Sequence, residues 1–214
     1  MSTLSTILSS KIIAIIRGAD PADVLNITQA LCEGGVQCVE ITLNSPDALR
    51  LIESIATKME GRITVGAGTV LNATEVHDAV SAGAKFIISP MLDFDVIHKT
   101  KGLGAVSIPG AYTPTEIFAA FSNGGDLIKV FPSSAGPSFI REVLAPFPYI
   151  PLVPTGGVNL TNILDFKKAG AVAFGIGKSL VDTRQKVTPG SLQQITTNAK
   201  NFIEALTQAK SPAG

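Results

Sequence analysis

A lysine stands in the middle of an apolar run, Leu127–Pro132, that has the composition of a buried strand. Lysine is rarely buried without a partner or a chemical task. Alternation along a strand would put Leu127, Lys129 and Phe131 on one face, with the amine beside an aromatic ring. Burial lowers the pKa of an amine and can make it a neutral nucleophile that attacks a carbonyl. The alternative is a lysine at a strand end whose charge reaches solvent past its neighbours.

A glutamate in a second apolar run is the natural partner of Lys129. Glu40 lies between Val39 and Ile41, and a carboxylate inside an apolar strand is costly unless it is paired or catalytic. The two charges fit either a lysine nucleophile with a general acid/base or a buried ion pair without chemistry. Arg17 ends another apolar run, where its guanidinium would either bind a substrate carboxylate or be solvated.

Glycine-rich turns follow the last two apolar runs of the chain. Backbone N–H groups of such turns bind phosphate in many barrel enzymes. Gly156 and Gly157 would let the backbone approach an anion, and Gly177 and Ser179 would contribute from the next turn, with Lys178 adding charge. Glycine is also common in turns that hold no ligand. The predicted phosphate site therefore depends on the two turns occurring together.

The elements that must position these residues follow a regular pattern. Eight apolar runs recur about every 20 to 26 residues, and each is followed by a turn and a helical pattern. The runs are continuously apolar, as in parallel strands that are covered on both faces. The pattern predicts an α/β fold, a single (β/α)8 barrel domain over residues 1–214, with a doubly wound open sheet as the alternative. The runs are Ile12–Arg17, Cys38–Leu43, Thr64–Val70, Phe86–Pro90, Ala105–Pro109, Leu127–Pro132, Leu152–Gly156 and Ala173–Gly177.

Helix signals separate these runs. Ser45, before a proline, predicts a capped helix start, and Asn72 and Thr113 predict two more. Gly34 ends the first of the predicted helices, and the last is expected from about Ser191 to Ala209.

Polar residues collect at the carboxyl ends of the predicted strands, where barrel enzymes have their active sites. Thr69 ends the third run, Ser89 lies at the end of the fourth and Thr155 at the end of the seventh. His77 and His98 fall in helical segments away from these ends, and no cluster has the spacing of metal ligands. The sequence therefore predicts no metal and no histidine base.

Composition excludes several classes of protein. Hydrophobic residues make up 45% of the chain, charged residues make up 16%, and the formal net charge is +0, which argues against disorder and against nucleic-acid binding. No apolar stretch approaches the roughly 18 residues of a membrane span. Met1–Ser10 is polar and gives no export signal, so Cys32 and Cys38 are expected to be reduced, buried residues of a cytoplasmic protein, with a disulfide as the less favoured alternative.

Several motifs together are far more specific than any one of them, and they cover nearly the whole chain. They are Ile12–Arg17, Val39–Leu43, Val65–Val70, Ile88–Pro90, Ile128–Pro132, Pro154–Val158 and Gly177–Ser179. This combination resembles the class I 2-keto-3-deoxy-6-phosphogluconate (KDPG) aldolases and the related 2-keto-3-deoxy-6-phosphogalactonate aldolases.

By this resemblance, Lys129 forms a Schiff base with the keto carbon and Glu40 is the general acid/base. KDPG is then cleaved to pyruvate and glyceraldehyde 3-phosphate by a lyase that needs no metal or other cofactor. The resemblance also implies a homotrimer whose partner is a small phosphorylated keto acid, with no nucleic acid and no membrane. The remaining predicted contacts are Arg17, Thr69, Pro90, Phe131 and Thr155 for the substrate, and Gly156, Gly157 and Ser179, with Gly177 from the turn pattern, for the phosphate.

One position departs from the family pattern. Many members have an arginine where this chain has Asn44, which leaves Arg17 as the expected carboxylate clamp. Asn44–Pro46 and Phe131–Ser134 resemble the phosphogalactonate branch, whereas Thr155 resembles the phosphogluconate branch. Because a hydroxyl there can discriminate between sugar stereoisomers, KDPG is the favoured substrate, with the galactonate epimer and 4-hydroxy-2-oxoglutarate as alternatives.

Two functions of other kinds remain open. A phosphosugar isomerase or epimerase with Glu40 as base would need a metal or an opposed acid, and the sequence offers neither. A non-catalytic phosphosugar-binding barrel would use the glycine turns alone and would leave Glu40 and Lys129 unexplained.

Overall fold

The computed structural model describes residues 1–208. Strands and helices alternate along the chain, as the sequence predicts. The strands are β1 Ile12–Ile16, β2 Cys38–Thr42, β3 Thr64–Gly68, β4 Phe86–Ile88, β5 Val106–Ile108, β6 Gly110–Ala111, β7 Ile128–Val130, β8 Leu152–Pro154 and β9 Phe174–Ile176. The helices are α1 Thr3–Ser10, α2 Pro21–Glu33, α3 Ala48–Lys58, α4 Ala73–Ser81, α5 Phe94–Gly102, α6 Pro114–Ser122, α7 Gly136–Leu144, α8 Ile163–Lys168 and α9 Pro189–Gln208.

The strands form two parallel sheets. A six-stranded sheet has the order β5-β4-β3-β2-β1-β9, and a three-stranded sheet has the order β6-β7-β8. Helices connect successive parallel strands because the chain must return to the same end of the sheet before each new strand. The predicted α/β class is confirmed.

The two sheets approach each other at two places. The sequence predicts one strand over Ala105–Pro109, but the structure divides this region into β5 and β6, because Pro109 has no N–H for the ladder. The carbonyl of Pro109 still accepts a hydrogen bond from the Lys129 N–H, at 2.9 Å. At the other side, Thr155 and Gly175 form an isolated parallel bridge beyond the end of β8.

Two apolar layers cover the two faces of the strands. Ile128 packs in the layer between strands and helices, whereas Leu127 and Cys38 pack in a smaller layer on the opposite face. Because side chains alternate along a strand, Lys129 and Glu40 point to the same side as this smaller layer. The predicted sidedness of both charged residues is confirmed.

Helix starts follow the predicted signals at Asn72 and Thr113, where each side chain accepts the N–H of the residue three positions later. Ser45 is not a cap, and this prediction is wrong. The helix begins only at Ala48, because the Ser45 hydroxyl accepts the Gly18 N–H at 2.8 Å and so holds the turn after β1.

The chain ends differ from the sequence expectation in detail. The serine-rich start forms α1, which places Ile7 in the smaller apolar layer. Ala209, the expected end of the last helix, lies outside the described residues. Cys32 and Cys38 are both free thiols; Cys38 is buried as predicted, whereas the prediction is wrong for Cys32, which is only half-buried on α2. Within residues 1–208, no helix combines the length and apolar character that crossing a membrane requires.

Candidate active site

A cavity of about 1020 Å³ opens at the carboxyl ends of the strands. It brings together most of the residues that the sequence predicts for the site. Glu40, Thr69 and Pro90 do not line it: Glu40 is the central residue of β2, and the other two lie just beyond the carboxyl ends of β3 and β4. The predicted residues that line the cavity are Arg17, Lys129, Phe131, Thr155, Gly156, Gly157, Gly177 and Ser179.

Lys129 is the central residue of β7 and is only 3% exposed. Its Nζ lies 4.8 Å from the centroid of the Phe131 ring. Burial lowers the pKa of the Lys129 amine, the charge of Glu40 opposes this shift, and the charge of Arg17 adds to it. A lowered pKa enlarges the neutral fraction of the amine, which is the form that attacks carbonyl carbon.

Glu40 is completely buried in β2. Neither carboxylate oxygen has a hydrogen-bond partner within residues 1–208. Burial raises the pKa of the Glu40 carboxyl, and the positive charges of Lys129 and Arg17 oppose the shift. Among the described residues, no ion pair joins Glu40 to Lys129. A simple buried ion pair therefore does not account for these two charges.

Gly68, the last residue of β3, makes room for the Glu40 carboxylate. A Cβ atom at position 68 would overlap Glu40 Oε1. In the same way, a Cβ atom at Gly175 would overlap Thr155 Oγ1. Both glycines belong to predicted strands, but the sequence gives no sign that they accommodate polar side chains of neighbouring strands.

Arg17 follows β1 at the rim of the cavity. Its Nη1 donates a hydrogen bond to Asn44 Oδ1 at 3.3 Å, and its backbone carbonyl accepts one from Thr183 Oγ1 at 2.6 Å. Many family members have an arginine at the position of Asn44, and Arg17 is expected to take over its role. Asn44 thus contacts Arg17 directly.

The first glycine turn has a conformation that requires glycine. Gly156 and Gly157 have φ angles of 85° and 86°, a region that other residues rarely adopt. The Ser133 hydroxyl donates to the Gly156 carbonyl at 2.5 Å, and the Ser179 hydroxyl donates to the Val158 carbonyl at 2.6 Å. These bonds hold the turn in place, and both glycines line the cavity.

Thr69 and Pro90 are half-buried; Thr69 directly follows β3, and Pro90 lies two residues beyond the end of β4. Thr69 has a φ angle of 57°, which is strained for a β-branched residue. Strained backbone of this kind is concentrated at functional sites in proteins.

Part of the cavity wall consists of residues that no sequence motif indicates. Asn159, Asp182, Thr183 and Arg184 also line it. The last three follow β9 in a polar segment that matches no motif, so only the folded structure identifies them. Residues 1–208 contain no group of three or more His, Cys, Asp or Glu side chains arranged to hold a metal ion.

Comparison with known proteins decides the family. The model of the KDPG and KHG aldolase family matches residues 4–198. The chain belongs to this aldolase family. It is therefore an aldolase, and its class of enzyme is lyase.

The relatives of this aldolase have two different substrate names, in which 2-dehydro-3-deoxy is the same group as 2-keto-3-deoxy. The aldolase is 37% identical to the probable 2-dehydro-3-deoxy-6-phosphogalactonate aldolase of Rhizobium meliloti (strain 1021), over 79% of this chain and 81% of that protein. It is 34% identical to the 2-dehydro-3-deoxy-phosphogluconate aldolase of Pseudoalteromonas atlantica, over 83% of this chain and 82% of that protein. A solved structure described as native KDPGal has a TM-score of 0.86 and 33% identity, covering 92% of this chain and 95% of that one.

Proposed function

We propose that this aldolase cleaves KDPG to pyruvate and glyceraldehyde 3-phosphate through a Schiff base on Lys129. The observation that carries the proposal is a buried amine in the cavity wall whose pKa is lowered by burial. At an unperturbed pKa of about 10.4, only roughly one lysine in 2,500 would be neutral at pH 7. The family membership supports an aldolase and does not support an isomerase or a non-catalytic phosphosugar-binding protein.

The proposed reaction uses Lys129 as nucleophile and Glu40 as acid/base. The neutral Nζ attacks the C2 carbonyl, and loss of water gives a protonated imine that withdraws electrons. Glu40 takes the proton of the C4 hydroxyl, directly or through a water, as the C3–C4 bond breaks and the aldehyde leaves. The remaining enamine is protonated at C3, and hydrolysis of the imine releases pyruvate. The raised pKa of the Glu40 carboxyl suits a group that must both accept and donate a proton.

The other predicted residues are assigned to binding. In this proposal Arg17 binds the substrate carboxylate together with Thr69, and Pro90 and Phe131 contact the pyruvyl half. The phosphate would be bound through backbone N–H groups because the Ser179 hydroxyl already donates within the protein. The residues assigned to the phosphate are Gly156, Gly157, Gly177 and Ser179.

The choice between the two epimers depends on Thr155. This residue is 4% exposed and lines the cavity, and within residues 1–208 its hydroxyl makes only a long bond of 3.4 Å to the Val153 carbonyl. The hydroxyl therefore remains available for a sugar hydroxyl, which favours KDPG. The galactonate epimer is the second candidate, favoured by the relative of 37% identity.

We predict that the wild-type enzyme has a higher kcat/KM for KDPG than for the galactonate epimer. Thr155→Val should reduce this preference about tenfold, because a hydrogen bond that distinguishes the epimers is lost. Rates of pyruvate release from both substrates measure the ratio. Thr100→Val is the matched control, since Thr100 is also buried and bonds to a carbonyl but lies away from the cavity. Wild-type preference for the galactonate epimer would refute the assignment, and so would an unchanged ratio in Thr155→Val.

We propose further that the strands form one (β/α)8 barrel and that the chain is a single domain. In this arrangement β5 and β6 are two parts of one strand interrupted at Pro109. Support comes from the hydrogen bond between Lys129 and Pro109 at one junction of the sheets and from the Thr155–Gly175 bridge at the other. An experimental structure in which either junction is open would contradict closure.

We propose that three copies of the chain assemble, and that an aromatic patch of α6 and the segment before β8 lies in the contact. The patch consists of Phe118, Phe121, Phe147 and Tyr149. Phe118 lies 5.4 Å from Phe147 and Phe121 lies 5.6 Å from Tyr149, measured between ring centroids. Phe118 is 43% exposed and Tyr149 is 59% exposed, and clustered exposed aromatic rings are typical of protein interfaces.

Light scattering is expected to give a mass of about three times the 22.2 kDa of one chain. The double variant Phe118→Asp with Tyr149→Asp should lower the mass to that of one chain, because charges would be buried without partners in the contact. Leu49→Asp is the control, since Leu49 is an exposed apolar residue on α3. A wild-type monomer at micromolar concentration would contradict the assembly.

We also propose that the enzyme acts in the cytoplasm on a small phosphorylated keto acid, without a nucleic-acid or membrane partner. The free thiols of Cys32 and Cys38 fit a reducing compartment. The formal net charge of +0 provides no attraction to polyanions or anionic membranes.

A further inference from the structure

The segment after β9, residues 178–185, runs along the rim of the cavity, and we call it the strap. Hydrogen bonds tie it to both sides of the opening. The Ser179 hydroxyl donates to the carbonyl of Val158 beside the first glycine turn, and the Thr183 hydroxyl donates to the carbonyl of Arg17, both at 2.6 Å. The strap is therefore held in a defined position at the rim of the cavity, although most of its side chains are exposed or half-buried.

Within the strap, the Asp182 carboxylate and the Arg184 guanidinium form a bidentate ion pair. Arg184 Nε donates to Oδ1 and Nη2 donates to Oδ2, each at 2.8 Å. The backbone N–H of Arg184 also donates to Asp182 Oδ1, at 3.3 Å. Hydrogen bonds from Arg184 are the main cause that lowers the pKa of Asp182 to about 2, so this carboxylate stays ionised at neutral pH.

The pair leaves unused donors at the cavity. A guanidinium carries five N–H donors, and Asp182 takes one from Nε and one from Nη2. The remaining three have no protein acceptor within residues 1–208, and Arg184 lines the cavity. Lys178, at the start of the strap, also lines the cavity. Its positive charge adds to the lowering of the pKa of the Asp182 carboxyl. The strap thus presents two cations around one carboxylate.

We propose that Arg184 binds the phosphate group of the substrate and determines the preference for phosphorylated over unphosphorylated keto acids, with Asp182 as its positioning residue. The inference rests on the proposed function, because it takes a phosphorylated keto acid as substrate. Guanidinium and phosphate form strong charge-assisted hydrogen bonds. Because Asp182 already positions the guanidinium, the Arg184 side chain loses less conformational entropy when the phosphate binds.

The hydrogen bond between Ser179 and Val158 places the start of the strap beside the first glycine turn, which is the turn assigned to the phosphate, and Arg184 lines the same cavity as this turn. Removal of Arg184 would also leave the Asp182 carboxylate without its partner at the cavity, where it would repel a phosphate dianion. Both effects act on the phosphate and neither acts on the keto group. The two ends of the substrate therefore provide separate readouts.

The test compares substrates with and without phosphate in Arg184→Ala. We expect KM for the phosphorylated substrate to rise about 10- to 100-fold, as for loss of hydrogen bonds to a charged group, with kcat changed less than about twofold. KM for 4-hydroxy-2-oxoglutarate and the rate of borohydride trapping with pyruvate should stay unchanged. Arg184→Lys should restore part of the loss, and Asp182→Asn should raise KM for the phosphorylated substrate less than Arg184→Ala does.

Arg50→Ala is the matched control because Arg50 forms an exposed pair with Asp47, also at 2.8 Å, on α3 away from the cavity. An equal rise of KM for both kinds of substrate would overturn the proposal, since Arg184 would then act on the shared keto-acid end. An unchanged KM for the phosphorylated substrate would overturn it as well. Failure of the proposed function is a different result, in which the wild-type enzyme itself releases no pyruvate.

Discussion

Replacing Lys129 with alanine is expected to lower kcat for cleavage at least about 10⁴-fold, because the covalent route through the imine is lost. The fold should survive, since burial of the ammonium is unfavourable in the native state. Coupled measurement of pyruvate release gives the rate, and thermal unfolding followed by circular dichroism checks the fold. Lys85→Ala, at an exposed lysine, is the control.

The lowered pKa of Lys129 also determines how the rate of imine formation should change with pH. The neutral amine becomes more abundant as pH rises, and its abundance levels off above the lowered pKa. Imine formation in the wild-type enzyme should therefore reach its plateau at a pH below the ordinary lysine pKa of about 10.4. Substantial turnover by Lys129→Ala, or a plateau only above that pH, would contradict the assignment of the nucleophile.

Replacing Glu40 with glutamine is expected to lower kcat about 10²- to 10⁴-fold, because the C4 hydroxyl loses its base. The variant keeps the shape of the side chain, so the fit against Gly68 is preserved. Steady-state kinetics on the phosphorylated substrate measures the effect. Glu142→Gln is the control, since Glu142 is exposed on α7.

Glu40 should also leave a signature in the pH dependence of stability. Its raised pKa means that the native state binds this proton more tightly than the unfolded chain does. The contribution of Glu40 to the free energy of unfolding is therefore fully present below the unfolded pKa of about 4.3 and is lost as pH rises through the folded pKa. Urea unfolding across this range should show a smaller decline in Glu40→Gln. An identical decline in the variant, with full activity, would remove Glu40 from the mechanism.

The sequence predicts the two catalytic candidates because strand geometry is local. Side chains alternate along any strand, so the sides on which Lys129 and Glu40 lie follow from their neighbours Leu127 and Cys38. The carboxyl ends of parallel strands lie at one edge, which places Arg17 and the glycine turns together without knowledge of packing. These predictions need the period of a strand and little else.

Contacts between segments far apart in the chain cannot be predicted in this way. The fit of Glu40 against Gly68 depends on the spacing of β2 and β3, and the strap reaches Arg17 through Thr183 across most of the chain. Ser45 shows the same limit, because its hydroxyl caps no helix and instead binds a turn from another strand. Contacts of this kind depend on which hydrogen-bond donors and acceptors lie close together in the folded protein.

The most direct test of Lys129 as the Schiff-base lysine is reductive trapping of the wild-type enzyme with pyruvate and borohydride, followed by mass spectrometry of its peptides. Borohydride reduces an imine to a stable amine, so the modified lysine keeps the pyruvate carbons. We predict a single adduct on the peptide that contains Lys129, and its loss in Lys129→Ala. An adduct on a different lysine, or an unmodified Lys129 in an enzyme that releases pyruvate, would show that Lys129 does not form the imine.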